Sequence, residues 1–354
     1  MSDQTLANDE CLSITNMVKE WLADQAKATN PWLQEHGAPA VSKVRSSVME
    51  KLEELGLISK TIEVDGKRGR VPLEIGKACG VELRTAEKDG GLYCVYPPTL
   101  RESLLGLISS DGRVGGLNPA ELAGIPPRAL DLLDIRRDVR KRGISRLMHF
   151  THIENLPGIL AQGLNPQAAD AKVSDEDRFD GRQNVTFLSV SVPNVPMLFK
   201  KYVTGGSECD WVLLELDPAL ISELDCAFYP TNGASRGMSS HSVAFDNRRS
   251  YRDFQEIFTE EATGRYALVP ADGAAALDAV LPRDVQAEVQ VRGVVPPRYL
   301  CKVLFHQSLN VSQPSPDGPR WEELVARQGL EVGTWSNSYA FLDEYHARMA
   351  GSDE

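Results

Sequence analysis

The sequence predicts an α+β fold. Short apolar or alternating runs of strand length recur from Leu147 to Phe305 with short helical segments between them, which suits mixed strands better than a doubly wound sheet. No GxGxxG, Walker, HExxH or nucleophile-elbow motif argues otherwise. Ahead of these strands, helix, short strand, basic hairpin and helix follow one another in the outline of a winged helix-turn-helix.

At 354 residues and 42% hydrophobic, the chain has the length and apolar content for two domains. Its net charge of −12 argues against nucleic-acid binding through the whole surface, but a local basic groove remains open, because phosphate contacts need only one positive face. The six cysteines (Cys11, Cys79, Cys94, Cys209, Cys226 and Cys301) form no CxxC pair. They fit free thiols in a reducing compartment better than a disulfide framework or a zinc site. The N-terminus lacks a basic-then-apolar signal pattern, and no apolar run approaches a membrane span. The expectation is a soluble, cytoplasmic protein with no metal and no membrane partner.

In chain order, Leu12, Ile14, Val18, Trp21 and Leu22 mark an amphipathic helix. A second helix, 41–56, repeats Val44, Val48, Leu52 and Leu55 on one face and stops at Gly56. Residues 61–64 alternate as a strand, Asp65-Gly66 is a tight-turn dipeptide, and Lys67, Arg68 and Arg70 form a basic return arm before a helix over 72–79. Residues 1–125 therefore read as a mainly helical, winged-helix-like domain. Glu50, Glu53 and Glu54 on the preceding helix would repel a phosphate backbone, so a solvated hairpin tip is the competing reading. Residues 126–145 form a basic linker or helix. Arg136, Arg137, Arg140, Lys141, Arg142 and the adjoining Arg146, diluted by Asp134 and Asp138, are a candidate nucleic-acid track.

The second domain is organised around RLMHFTHIENLPGILAQGL, residues 146–164. A short strand ends in polar side chains, and a helix carrying Ile153, Leu156, Ile159 and Leu160 begins at once and stops at Gly163. Such a junction usually lines a site. His149 and Thr151 alternate with Phe150 and so share one face of the strand. The plain alternative is a satisfied histidine and a helix cap. Downstream, 185–192 alternates as a strand, 193–202 is a turn and helix, and 211–216 is a nearly continuous apolar strand. Residues 226–229 form another strand, opening into the small-residue loop PTNGASRG. In 285–291, Gln286, Glu288 and Gln290 fall on one face of a strand, and 299–305 is the last strand. Residues 308–354 read as a linker with short helices over 321–328 and 339–349.

Four segments occur in a recognisable order: HFTHIENLPGIL at 149–160, PNVPMLF at 193–199, PTNGAS at 230–235, and QAEVQV with following VVPP at 286–297. On them, residues 145–306 resemble the DarT family of DNA ADP-ribosyltransferases. The resemblance implies a split antiparallel sheet, spanning the domain 146–307, that holds NAD in a cleft as co-substrate. It assigns NAD binding to His149 and Thr151 with Asn155 in support, and catalysis to Glu288. It also implies a catalytic arginine, needed for activity, in the loop before the second segment; Arg178 fits it best, with Arg182 four residues on as the other candidate. Single-stranded DNA and an antitoxin of the DarG or macrodomain type are the implied partners. The strand VTFLSVSV is closer to the guanine-modifying branch than to the aromatic-rich thymidine-modifying one, so guanine is the expected base.

The chemistry can be reasoned independently. Breaking the nicotinamide–ribose bond leaves an oxocarbenium-like centre, which calls for a nearby carboxylate. Arg178 suits the pyrophosphate, and Phe150, Phe187 and Met197 suit the nicotinamide walls. Asn232 and Ser235, in a loop that a ligand could approach closely, and Arg182 are candidate substrate contacts. A base inside a duplex is out of reach without flipping, so a single strand is expected. Without the resemblance, Glu288 would read as a solvated residue on an alternating strand. The expected function is transfer of ADP-ribose from NAD to a base of single-stranded DNA, as a toxin or phage-defence effector. The alternatives are a winged-helix DNA-binding regulator with an inactive transferase-like sensor domain, or transfer to RNA or protein.

Overall fold

The chain divides into two units, Met1–Asp134 and Ile135–Glu354. This is a computed structural model, and it describes residues 12–13, 17–19, 21, 39–64, 66–85, 92–97, 100, 103–104, 125–166, 184–205, 210–235, 238, 244–259, 281–312, 315, 318–336 and 341.

In the first unit, β1 (Leu12–Ser13) precedes α1 (Pro39–Glu54), whose Val44, Val48 and Leu52 are fully buried as their spacing predicts. Gly56, at φ 74°, closes that helix, and the Leu57 N–H turns back to the Leu52 carbonyl at 2.9 Å. The hairpin expected around Gly66 forms from β2 (Ile62–Val64) and β3 (Lys67–Gly69). α2 (Glu74–Ala78), β4 (Glu82–Thr85) and β5 (Leu92–Tyr96) follow. The strands assemble in the order β1-β5-β3-β2, with β4 also on β5. The mainly helical domain expected here is thus mixed, because the unforeseen β4 and β5 extend the hairpin into a five-stranded sheet. Arg70 of the basic arm is bound by Glu53 of α1, so the helix carboxylate anchors the arm.

The helix α3 (Pro127–Lys141) spans the boundary at Asp134, and in the second unit β6 (Leu147–His152), a 3₁₀ turn and α4 (Leu156–Gln162) follow it. Then come β7 (Val185–Val190), α5 (Val195–Gly205), β8 (Trp211–Leu216), α6 (Leu220–Glu223), β9 (Cys226–Tyr229) and α7 (Tyr251–Glu256). β10 (Glu288–Arg292), β11 (Leu300–His306), α8 (Trp321–Ala326) and β12 (Glu331–Trp335) complete it. The sheet order is β12-β11-β8-β6-β7-β10-β9, antiparallel throughout except for β11 with β12. One face packs a core through Leu147, Leu188, Leu214, Phe228, Val289 and Phe305.

Two expectations change. Residues 308–354 do not serve only as linker and helices: β12 continues the sheet, burying Trp335. The helix expected over 339–349 falls, but for Phe341, outside the described residues. The strand expected at 285–291 begins only at Glu288. Asp284 turns the chain first, its Oδ1 accepting the Gln286 N–H and its carbonyl the Ala287 N–H, each at 2.8 Å.

Candidate active site

β6 and β7 run together for two residue pairs only, Leu147 with Val190 and Met148 with Ser189. Past them, β6 stays in register with β8 as far as His152, while β7 pairs with β10. The sheet is therefore split into β12-β11-β8-β6 and β7-β10-β9. At the first position past the joint, His149 Nδ1 lies 2.8 Å from the Phe187 carbonyl oxygen and bridges the split. A carbonyl can only accept, so Nδ1 carries the proton and, in the neutral ring, Nε2 is left as an acceptor. Burial pushes the His149 pKa below its ordinary 6.5, with the Phe187 bond partly opposing, so the ring is neutral at physiological pH.

Register decides where Glu288 points. Val289 pairs with Leu188, and Met148 with Ser189, so Glu288 and Gln290 lie on the Met148–Ser189 face. His149 and Thr151 alternate onto the opposite face, with Leu147. They meet the Glu288 half-sheet only across the split, where His149 holds Phe187, the strand partner of Gln290.

Glu288 is only 5% exposed. Its Oε2 accepts the Gly233 N–H at 3.2 Å and the Gln290 Nε2 at 3.0 Å. Gly233 belongs to the loop after β9, which is latched a second time: Thr231 Oγ1 donates at 2.6 Å to the fully buried carboxylate of Asp284. Gln286 Nε2 reaches Asn194 Oδ1 at 3.5 Å, and the same oxygen accepts the Met197 N–H at 3.2 Å at the start of α5. Hydrogen bonds thus tie QAEVQV to PNVPM through Gln286 and Asn194, and to PTNGAS through Glu288 and Gly233. Phe150 packs with Met148, Val192, Val195, Leu198 and Trp211, its ring edge-on to Trp211 at 5.8 Å.

The remaining predicted residues fall as follows. Thr151 is buried, and its Oγ1 accepts from Asn155 Nδ2 at 3.0 Å. Met197 is half-buried in the first turn of α5. Asn232 Oδ1 accepts the Ala234 N–H at 2.8 Å, and the Ser235 N–H returns to the Asn232 carbonyl, so these two shape their own turn. Arg178, Arg182 and the unassigned His241 lie outside the described residues.

Asn194, Thr231, Asp284 and Gln290 escaped sequence reasoning as members of the site. Asn194, Thr231 and Asp284 are ordinary polar residues with partners remote in sequence, and Gln290, although it shares a strand face with Glu288, carries no local sign that its side chain turns to that carboxylate. Of the six basic residues in the stretch 136–146, Arg137, Arg140 and Lys141 are exposed and three are held within the unit. Arg136 binds Glu223 at 2.9 Å, and Arg142 binds Asp138 at 3.0 Å while covering the Phe258 ring. Arg146 donates to the Ser191 carbonyl at 2.8 Å and to Glu215 at 3.2 Å. These three guanidiniums hold the unit together. Among the described residues, no group of three His, Cys, Asp or Glu is placed to hold a metal ion, and no helix is long and apolar enough to cross a membrane.

Residues 148–313 match a family model described as "ssDNA thymidine ADP-ribosyltransferase, DarT". They form a DarT domain. The match covers just under half of the chain and takes in β6, the split and Glu288. No curated protein matches the chain. Among solved structures, Thermus sp. 2.9 DarT in complex with NAD+ is 18% identical with a TM-score of 0.33, over 54% of this chain and 96% of that one. The same DarT in complex with ADP-ribosylated ssDNA gives 17% and 0.34, over 55% and 95%. Thermosipho africanus DarTG in complex with ADP-ribose gives 18% and 0.34, over 54% of this chain; the match spans half, 50%, of that longer chain.

Proposed function

We propose that the DarT domain transfers ADP-ribose from NAD to a base of single-stranded DNA, as the toxin of a toxin–antitoxin or phage-defence pair. The single observation that carries this is Glu288, a buried carboxylate fixed by two N–H donors beside a split sheet, within a domain of a DNA ADP-ribosyltransferase family.

When bound, NAD supplies an ADP-ribosyl group on a cationic nicotinamide leaving group. The C1′–N bond breaks with its electron pair going to nicotinamide, a base nitrogen bonds C1′, and the base N–H proton is released. Glu288 stabilises the positive charge that develops at the ribose and takes that proton. The neutral His149 offers Nε2 to a ribose hydroxyl, and Thr151, oriented by Asn155, adds a second polar contact. Phe150, Phe187 and Met197 wall the nicotinamide, and Arg178 or Arg182 pairs with the pyrophosphate. Asn232 and Ser235 line the approach of the strand.

Guanine is the proposed base, on the pattern of β7; the family description names thymidine. The first unit is proposed as a winged-helix-like module, and an antitoxin of the DarG or macrodomain type as the partner.

The test is the intact mass of single-stranded oligonucleotides bearing each base, as DNA and as RNA, incubated with NAD and either wild-type protein or Glu288→Gln. One added ADP-ribose on guanine DNA, absent with the variant, supports the proposal. A thymine adduct corrects the base, and RNA adducts alone move the substrate. No adduct from folded, NAD-binding protein rejects the transferase and favours a sensor-regulator.

A further inference from the structure

Gln290 has no part in the chemistry above. It is fully buried at the middle of β10, between Phe187 on β7 and Ala227 on β9. Burying a primary amide is unfavourable unless its donors and acceptor find partners. An apolar side chain would satisfy the sheet at that place, as Phe187 and Ala227 do on either side. The amide has a specific engagement instead: its Nε2 donates to Glu288 Oε2 at 3.0 Å.

We propose that Gln290 is the positioning residue of Glu288. The inference rests on the transferase reading above. Residues two apart on a strand share a face, so Gln290 is the nearest position on β10 from which a side chain can reach Glu288. Its amide and the Gly233 N–H meet on the same carboxylate oxygen. Two donors from different directions fix the rotation of the carboxylate about its last bond, and so fix where Oε1 sits. The donor is neutral, and that matters for the chemistry. A lysine or arginine at 290 would orient the carboxylate equally well but cancel the negative charge that must face a developing cation. An amide orients without cancelling. Position 290 is also joined to the other half-sheet, since its partner Phe187 is the residue His149 holds. The donor-binding histidine and the carboxylate are therefore connected through one strand pair.

The experiment compares wild type, Gln290→Leu and Gln290→Glu in NAD affinity, kcat and KM for transfer to DNA, pH profile and thermal melting. Gln290→Leu removes one charge-assisted hydrogen bond. It is expected to keep NAD affinity and KM within about twofold and to lose kcat by roughly 10- to 100-fold. Gln290→Glu is nearly isosteric and sets a second carboxylate against Glu288. It is expected to be inactive at neutral pH and to recover as pH falls, because the pair then shares a proton and an O–H replaces the amide N–H. Tyr229 on β9, His149 across the split and Asp284 before β10 are the same residues in all three proteins, so a difference in profile is traced to the substitution at position 290. Wild-type kcat in Gln290→Leu overturns the proposal. If that variant melts early, Gln290→Glu decides: acid recovery upholds positioning, and a uniformly depressed, pH-flat profile overturns it. Wild-type protein that modifies no strand overturns the transferase reading itself, and that result is seen before any variant is compared.

Discussion

The Nδ1 of His149 and the carbonyl oxygen of Phe187 lie 2.8 Å apart where β6 parts from β7. One ring nitrogen does structural duty across the split, and the other is presented as an acceptor. These roles separate by substitution. His149→Asn keeps an amide donor near the Nδ1 position and loses Nε2; His149→Ala loses both. Both should weaken NAD binding, measured by calorimetry, by about tenfold or more, and only His149→Ala should also lose about 1 kcal/mol of stability.

The same pair sets a pH dependence. The folded-state pKa of His149 lies below 6.5, so between that lowered value and 6.5 the unfolded chain binds more protons than the folded one. Stability from this residue is complete above pH 6.5 and declines as pH falls through that window. An NMR titration should show a midpoint below 6.5 with the proton of the neutral ring on Nδ1. A midpoint above 6.5 would contradict the account.

Thr231 and Asp284 form the second latch of the loop that carries Gly233. Thr231→Val leaves a fully buried carboxylate short of one donor and should cost roughly 1–3 kcal/mol in denaturant unfolding. It should also lower kcat, because Gly233 holds Glu288; Thr231→Ser should restore both. Lost stability with unchanged kcat would show that the loop and the carboxylate are independent.

Gly163 ends α4 at φ 89°, and a Cβ there would sit 2.2 Å from the Val295 carbonyl oxygen. That contact joins the first family segment to the VVPP turn, where Leu164 and Val295 exchange backbone hydrogen bonds of 2.9–3.0 Å. Gly163→Ala adds a backbone clash to a left-handed conformation. It should cost about 2 kcal/mol or more, seen as an earlier thermal midpoint.

Ser191 is the one described non-glycine residue at positive φ, 63°, and the Val192 N–H closes over it onto the Val190 carbonyl at 2.7 Å. Arg146 holds this turn from its backbone and side chain. Glycine removes the steric cost of that conformation and alanine keeps it. Ser191→Gly should therefore be about 1 kcal/mol more stable than Ser191→Ala, and equal stability would mean the turn carries no strain.

Much of the fold is legible in local pattern. The 3.6-residue repeat of Val44, Val48 and Leu52 forms α1, the apolar run Trp211–Leu216 forms the buried β8, and glycines stand at the predicted helix ends. β4, β5 and β12 were missed because their alternation is weak. Their stability comes from neighbouring strands, as when β12 adds in parallel to β11 through a pairing some thirty residues apart in sequence.

By itself the sequence determined the class of the second unit, its family segments and the strand bearing Glu288, because periodicity and short motifs are properties of neighbouring residues. Only the tertiary structure decided that Glu288 is buried, that Gln290 and Gly233 grip one of its oxygens, and that His149 approaches through a split instead of a shared face. It also decided that Arg136, Arg142 and Arg146 are bound by Glu223, Asp138 and Glu215. For the contacts between residues far apart in sequence, the physical reason is shared. Hydrogen bonds and ion pairs between residues as distant as Arg136 and Glu223 depend on register and strand separation, which no local stretch of sequence encodes.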